Sequence, residues 1–200
     1  MSTKSIEILT EEFNKLPSIG KKTAQRLAFA ILEMEQDEVE FFAKALLDVK
    51  EKVKKCSICG NFSEEEICDI CKDKERDHKT ICVVEDSKDI TALERAKSYR
   101  GIYHVLHGKI APLSGKTLDK LNIQNLVERV DKNGVKEVIM ALNPDLEGET
   151  TSMYLTRLLK NFDIKISRIA SGIPMGGNLE YSDMATIIKS IEGRRELKDE

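Results

Sequence analysis

The chain has 200 residues, of which 40% are hydrophobic and 34% charged, with a formal net charge of −3. This allows one or two domains and a small module. No run of about 18 apolar residues is present to form a membrane-spanning helix, and the acidic total offers no general attraction for nucleic acid, so any such binding must rest on local charge. Tryptophan is absent and aromatics are 5%, which argues against broad base-stacking platforms. The opening MSTKSIEILTEEF is amphipathic and acidic and lacks the apolar core of a signal peptide. The expectation is therefore a cytoplasmic protein with reduced cysteines.

Residues 1–55 read as helices. Ile6, Leu9, Phe13 and Leu16 recur at steps of three and four, on one helical face. Pro17 stops that helix, Gly20 permits a tight turn, and Thr23 suits the N-cap of the next helix. A later stretch, 37–55, has helical spacing in Val39, Phe42, Leu46, Val49 and Val53. A small-residue turn feeding a helix start leaves backbone N–H groups free for a phosphate. Lys21 and Lys22 flank that start, and Arg26 shares a face with Lys22. The pattern fits a helix-hairpin-helix that grips DNA backbone without reading sequence. An ordinary helical hairpin with a basic rim fits it equally. Lys50, Lys52, Lys54 and Lys55 form a second basic run.

Four of the five cysteines fall within residues 56–79, as two CxxC pairs, Cys56/Cys59 and Cys68/Cys71, with eight residues between them. Each CxxC turn delivers two thiolates from one knuckle, and two knuckles close a tetrahedral site. The spacing predicts one structural Zn²⁺ with no open coordination position. Two disulfides or a thioredoxin-like redox pair are the rival readings. Neither is favoured: nothing indicates an oxidising compartment, and both pairs sit among turn and charged residues.

From Thr80 the texture alternates. Strands are expected at TICVVE, IYHVL, KEVIMAL and KISRIA. Helices are expected at SKDITALERAKSY, NIQNLVERVDKNG, GETTSMYLTRLLKNF and SDMATIIKSIEGRR. Such alternation implies a mainly parallel sheet flanked by helices. Cys82 lies in the first strand and reads as an inert core thiol. Functional groups in these sheets collect beyond the C-terminal ends of strands. Glu85 follows the first strand, and Asp145, Glu147 and Glu149 follow the third. Together these carboxylates could hold Mg²⁺, although each alone is explained by helix capping or a helix dipole. SGKT at 114–117 imitates the end of a phosphate loop, but Ile110 stands where that loop needs glycine, so nucleotide binding is rejected there. His78, His104 and His107 pair with no evident nucleophile.

Taken together, LPSIGKKTAQRLAF, CSICG…CDIC, VVED at 83–86, GIYHVLHGKIAPLSG, ALNPDLEGETT and RIASGIPMGGNLEYSD resemble the RecR family of bacterial recombination mediators, in order and over almost the whole chain. The resemblance implies an α/β protein in four parts. These are a helix-hairpin-helix DNA-binding domain in 1–55, a four-cysteine zinc finger in 56–79, a Toprim-like parallel sheet flanked by helices in 80–172, and a Walker B-like segment and helix in 173–200. It further implies ring-shaped tetramers that clamp DNA, associate with the nucleoid and, with RecO or RecF, help RecA displace single-strand-binding protein. Lys22 and Arg26 match the family's DNA-contacting positions, while Lys21 stands where the family often has proline. Glu85 and the 143–149 loop match the Toprim acidic face, a docking surface for RecO. Toprim enzymes resemble one another in a Glu plus an Asp-x-Asp; here the latter reads Asn143-Pro144-Asp145. Two-metal chemistry needs the missing carboxylate, so a binding module is expected over the rival, a Mg²⁺-dependent nuclease or primase-like enzyme.

Overall fold

The computed structural model describes residues 3–111 and 118–196; the SGKT stretch lies outside them. The chain divides into two compact units, Met1–Val53 and Lys54–Glu200.

The first unit is three helices, α1 (Lys4–Asn14), α2 (Lys21–Glu33) and α3 (Gln36–Lys52). Ile6, Leu9 and Phe13 are half-buried on the inner face of α1, as the spacing predicts. Ala24 and Ala28 are the fully buried residues of α2, and their small side chains let helices approach closely. The turn differs in detail from the sequence reading. The left-handed residue is Ser18, with φ 65°, whereas Gly20 has φ −83° and is itself the N-cap of α2. Thr23 therefore lies inside the first turn and caps nothing. Nor does the third helix reach Lys55, because Lys54 and Lys55 form a strand. α3 buries none of its residues. Phe41, Phe42, Leu46 and Leu47 stay exposed, Leu47 by 70%.

The second unit opens with a two-stranded antiparallel ribbon, β1 (Lys54–Lys55) and β2 (Phe62–Ser63), and a single-turn helix α4 (Asp69–Lys72). The main sheet follows: β3 (Asp77–Val84), α5 (Ser87–Arg95), β4 (Gly101–Val105), α6 (Ile123–Lys132), β5 (Glu137–Ala141), α7 (Leu146–Leu159), β6 (Lys165–Arg168) and α8 (Met184–Glu192). All four strands are parallel, in the order β4-β3-β5-β6. β3 begins three residues before the predicted strand, and α7 two residues before the predicted helix.

Alternation along β3 sorts its side chains to two cores. Ile81 and Val83 join residues of α6 and α7 on one face, including Leu126, Val130, Leu155 and Leu159. Cys82 and Val84 face the other way, with Ile90 of α5, Tyr103 and Val105. Fully burying one such aliphatic side chain contributes about 1.5–3 kcal/mol. Burial also pushes the Cys82 thiol up to about 12, which suits an inert core residue. Arg76 ties α5 to the sheet, meeting Glu94 at 2.5 and 3.0 Å and the Gly101 carbonyl at 3.1 Å. β3 has β4 on one side and β5 on the other, and the crossovers β3-α5-β4 and β4-α6-β5 pass over opposite faces. The loops after these three strands therefore converge at a switch point, where α/β sheets collect their functional groups.

Candidate functional site

Cys56 and Cys59 lie on the knuckle between β1 and β2, and Cys68 and Cys71 at and within α4. Gly60 allows the first knuckle: its φ is 77°, and a Cβ there would meet Asn122 Nδ2 at 2.9 Å. Gly60 N–H donates to the Cys56 carbonyl at 2.9 Å, and Lys72 N–H to the Cys68 carbonyl at 3.1 Å, so the two knuckles turn alike. All four thiols are buried, none is in a disulfide, and their sulfurs lie within 4.8 Å of one another. Tetrahedral Zn–S bonds of about 2.3 Å place ligand sulfurs about 3.8 Å apart; Cys59 and Cys68 are already 3.6 Å apart. Charge points to the same ion. Hydrogen bonds from Cys59 and Cys71 hold Cys68 down to about 2, while the contact with Cys68 pushes Cys59 up to about 12 and contacts with Cys59 and Cys68 push Cys71 up as well. Cys59, Cys68 and Cys71 thus compete for negative charge, and a bound cation would relieve that competition. The cluster fits a structural zinc ion, which would offset half of the thiolate charge and lock both knuckles.

The knuckle also covers the edge of the sheet. Val105 N–H, at the end of β4, donates to the Cys59 carbonyl at 2.8 Å. Asn125 Nδ2 reaches the Ser57 carbonyl at 3.4 Å. The clip and the sheet are thus hydrogen-bonded within one unit.

At the switch point the expected acids separate into three environments. Glu85 and Asp145 come together, but around a lysine. Lys109, beyond β4, places Nζ 2.5 Å from Asp145 Oδ2 and 3.4 Å from Glu85 Oε2. Asn143 Nδ2 donates to the same Glu85 oxygen at 3.0 Å. Burial works against the Lys109 cation, yet Asp145 and Glu85 keep its pKa raised. Asp145 also caps α7, accepting from Gly148 N–H at 2.8 Å. The Lys109 and Gly148 bonds hold its carboxyl below the usual range. Glu149 belongs elsewhere: Lys189 and Arg168, each 2.6 Å away, tie it to α8 and β6 and lower its pKa. Glu147 is exposed. Asp86, next to Glu85, caps α5.

Lys109 is the functional-face residue that sequence reasoning missed. Its signal was its place just past a strand that neighbours the strand preceding Glu85. As arranged, the Glu85–Asp145 pair already has a cation, and Mg²⁺ would have to displace it.

In the first unit, Lys21, Lys22 and Arg26 are all exposed. Gly20 gives α2 no side-chain cap, so the first-turn N–H groups remain available to an anion. The three cations are not equivalent. Lys21 lines a groove with Glu7 and Glu11 of α1, while Lys22 and Arg26 lie outside it.

A parallel sheet with acids at its switch point, joined to a four-cysteine clip, defines a Toprim-type protein with a zinc finger. Family models agree part by part: the RecR helix-hairpin-helix at 6–50, the RecR four-cysteine zinc finger domain at 53–73, the Toprim domain at 79–170 and the RecR C-terminal region at 172–195. The chain is 52% identical over 192 residues to Recombination protein RecR of Staphylococcus aureus strains JH9, Newman and JH1, covering 96% of this chain and 97% of each relative. The chain belongs to the RecR family of recombination proteins. Among the described residues, no helix is long and apolar enough to cross a membrane.

Proposed function

We propose that the protein is a recombination and repair mediator that binds DNA as a ring-like tetramer and acts as an adaptor without breaking bonds. With RecO or RecF it promotes RecA loading on DNA coated by single-strand-binding protein, in the cytoplasm at the nucleoid. Residues 1–55 grip DNA, 56–79 hold one zinc ion through Cys56, Cys59, Cys68 and Cys71, 80–172 recruit the partner, and 173–200 complete the fold. The observation that carries this reading is the uncapped start of α2, with Lys22 and Arg26 on one exposed helical face. Lys21 contributes less, being shared with the acids of α1.

A few phosphate contacts per subunit are weak, and a ring multiplies them through effective concentration. Closing a ring takes two interfaces per subunit. Two apolar surfaces support that: one on α3, the other around Tyr181, Met184 and Ile191, where Tyr181 is 81% exposed. The Glu85–Asp145 face is the partner surface, with Lys109 in place of a metal.

The rival, a Mg²⁺-dependent nuclease or primase-like enzyme, draws on the meeting of Glu85 and Asp145. The Lys109 ammonium and the Asn143 amide count against it. The test is a DNA-binding isotherm across salt concentrations. Lys22→Ala with Arg26→Ala should flatten the slope of log K against log salt by about 0.9 for each phosphate that no longer meets a cation, with the fold intact. Unchanged affinity removes α2 from the interface. DNA cleavage that needs Mg²⁺ and vanishes in Glu85→Gln overturns the adaptor reading.

A further inference from the structure

Arg129, on α6, is a buried cation that the DNA and partner surfaces do not use. It is 5% exposed. Its Nη1 donates to the Tyr103 carbonyl at 2.8 Å and to His104 Nδ1 at 3.1 Å. Its Nε and Nη2 are buried with no hydrogen-bond partner among the described residues. His104 offers no opposite charge. Its Nε2 donates to the Asn122 carbonyl at 2.6 Å, which leaves Nδ1 as the acceptor for Arg129 and the ring neutral. A guanidinium does not give up its proton, and burying one without an anion is costly. Burial works against the Arg129 charge. The Tyr103 carbonyl that Arg129 binds and the Val105 N–H that Cys59 binds are two residues apart on the same outer edge of β4, so the guanidinium and the first knuckle meet that edge together.

We propose that Arg129 is the buried countercharge of the four-cysteine zinc centre. Four thiolates around one Zn²⁺ leave two negative charges. Two backbone N–H groups soften them, Asn61 toward Cys59 Sγ at 3.4 Å and Cys68 toward Cys56 Sγ at 3.3 Å. Neither carries a full positive charge. Arg129 of α6 carries one, held on the edge of the same strand whose Val105 binds Cys59. Loading of the metal therefore stabilises the burial of Arg129, and Arg129 stabilises the loaded metal, by reciprocity. The device makes zinc a condition for seating the clip on the sheet as well as for folding the clip itself.

The inference rests on the zinc reading, so the wild-type zinc content is measured first. No zinc in freshly purified, reduced protein overturns both. Given one zinc per chain, the affinity of Arg129→Met is measured by competition with a chromophoric chelator. The expected result is a loss of about 10–100-fold, the usual effect of removing an outer partner of a metal ligand. The chelator-stripped form of the same variant should resist urea as well as stripped wild type, because there the cation has no anion to serve. Equal zinc affinity overturns the proposal. So does equal destabilisation of loaded and stripped forms, which would reduce Arg129 to a packing residue. If Arg129→Met does not fold, Arg129→Lys and Arg129→Gln replace it. Lysine should keep affinity within about threefold of wild type, and glutamine should fall about tenfold or more. Equal affinities for the two variants overturn it, and Co²⁺ charge-transfer bands read the same contrast directly at the sulfurs.

Discussion

Lys109 Nζ lies 2.5 Å from Asp145 Oδ2, although the two residues follow strands that are not neighbours. Glu85, from the strand between them, completes the group at 3.4 Å. Lys109→Met should leave two carboxylates facing each other with only Asn143 between. Because Asp145 is half-exposed and water can compensate there, a loss of about 1–2 kcal/mol at pH 7 is expected in urea unfolding. The Asp145 carboxyl is held below its ordinary value. Its contribution is thus complete above about pH 4 and disappears as the pH falls through the folded pKa. Wild type and variant should converge on acidification. A gap that does not narrow as the pH is lowered through and below the ordinary carboxylate range would contradict the ion-pair account. Millimolar Mg²⁺ should raise the melting temperature of the variant and leave wild type unmoved.

The zinc clip predicts a second measurement. Cys68→Ser removes one ligand of four, and elemental analysis should then find less than one zinc per chain. The effect should travel along one hydrogen bond. Val105 N–H is held by the Cys59 carbonyl at 2.8 Å, so its amide should lose protection in hydrogen exchange while Ile139 in β5 keeps its own. Equal loss at both amides would mean global unfolding rather than release of the clip.

Much of the sheet was legible because a parallel sheet buried on both faces writes its strands as nearly continuous apolar runs. ICVV, IYHV and VIMA are such runs, and the helices between them show clear periods. What stayed hidden has physical reasons. Lys109 and Asp145 are 36 positions apart, and only the strand order joins them. Periodicity also reports an apolar stripe without saying what covers it: Phe42, Leu46 and Val49 of α3 repeat as expected and remain exposed. Lys54 and Lys55 look like the end of a helix, yet pairing with Phe62 and Ser63 beside the first knuckle makes them a strand. Glu149 looked like a dipole partner of its helix, and the chain's fold gave it Arg168 and Lys189.

Gly148 supplies a prediction whose sign runs against helix propensity. Within a helix, glycine to alanine normally stabilises by about 1 kcal/mol. Here a Cβ would collide with the Asn143 carbonyl oxygen and approach Asp145 Oδ1 to 3.3 Å. The first turn of α7 and the Asn143–Asp145 loop would have to part. Gly148→Ala should therefore destabilise by about 1–3 kcal/mol and weaken the Lys109 ion pair that depends on the loop. A variant as stable as wild type would show that the loop can yield without cost.

Gly20 offers the reverse case, stability gained at the expense of binding. Its φ is −83°, and a Cβ there would meet nothing within 4 Å, so a side chain is tolerated. Gly20→Asp would place a carboxylate where the first-turn N–H groups of α2 point, supplying the missing cap and stabilising the helix by a few tenths of a kcal/mol. The same carboxylate consumes those donors and puts a negative charge beside Lys22, so it competes with a DNA phosphate for one position. Thermal melting should rise slightly while DNA affinity falls, most clearly at low salt, where the charge is least screened. Gly20→Ser, which caps without charge, should lose less affinity than Gly20→Asp. If both variants bind DNA as wild type does, the start of α2 does not face the phosphate backbone, and the contact must be sought on the other basic run of the chain.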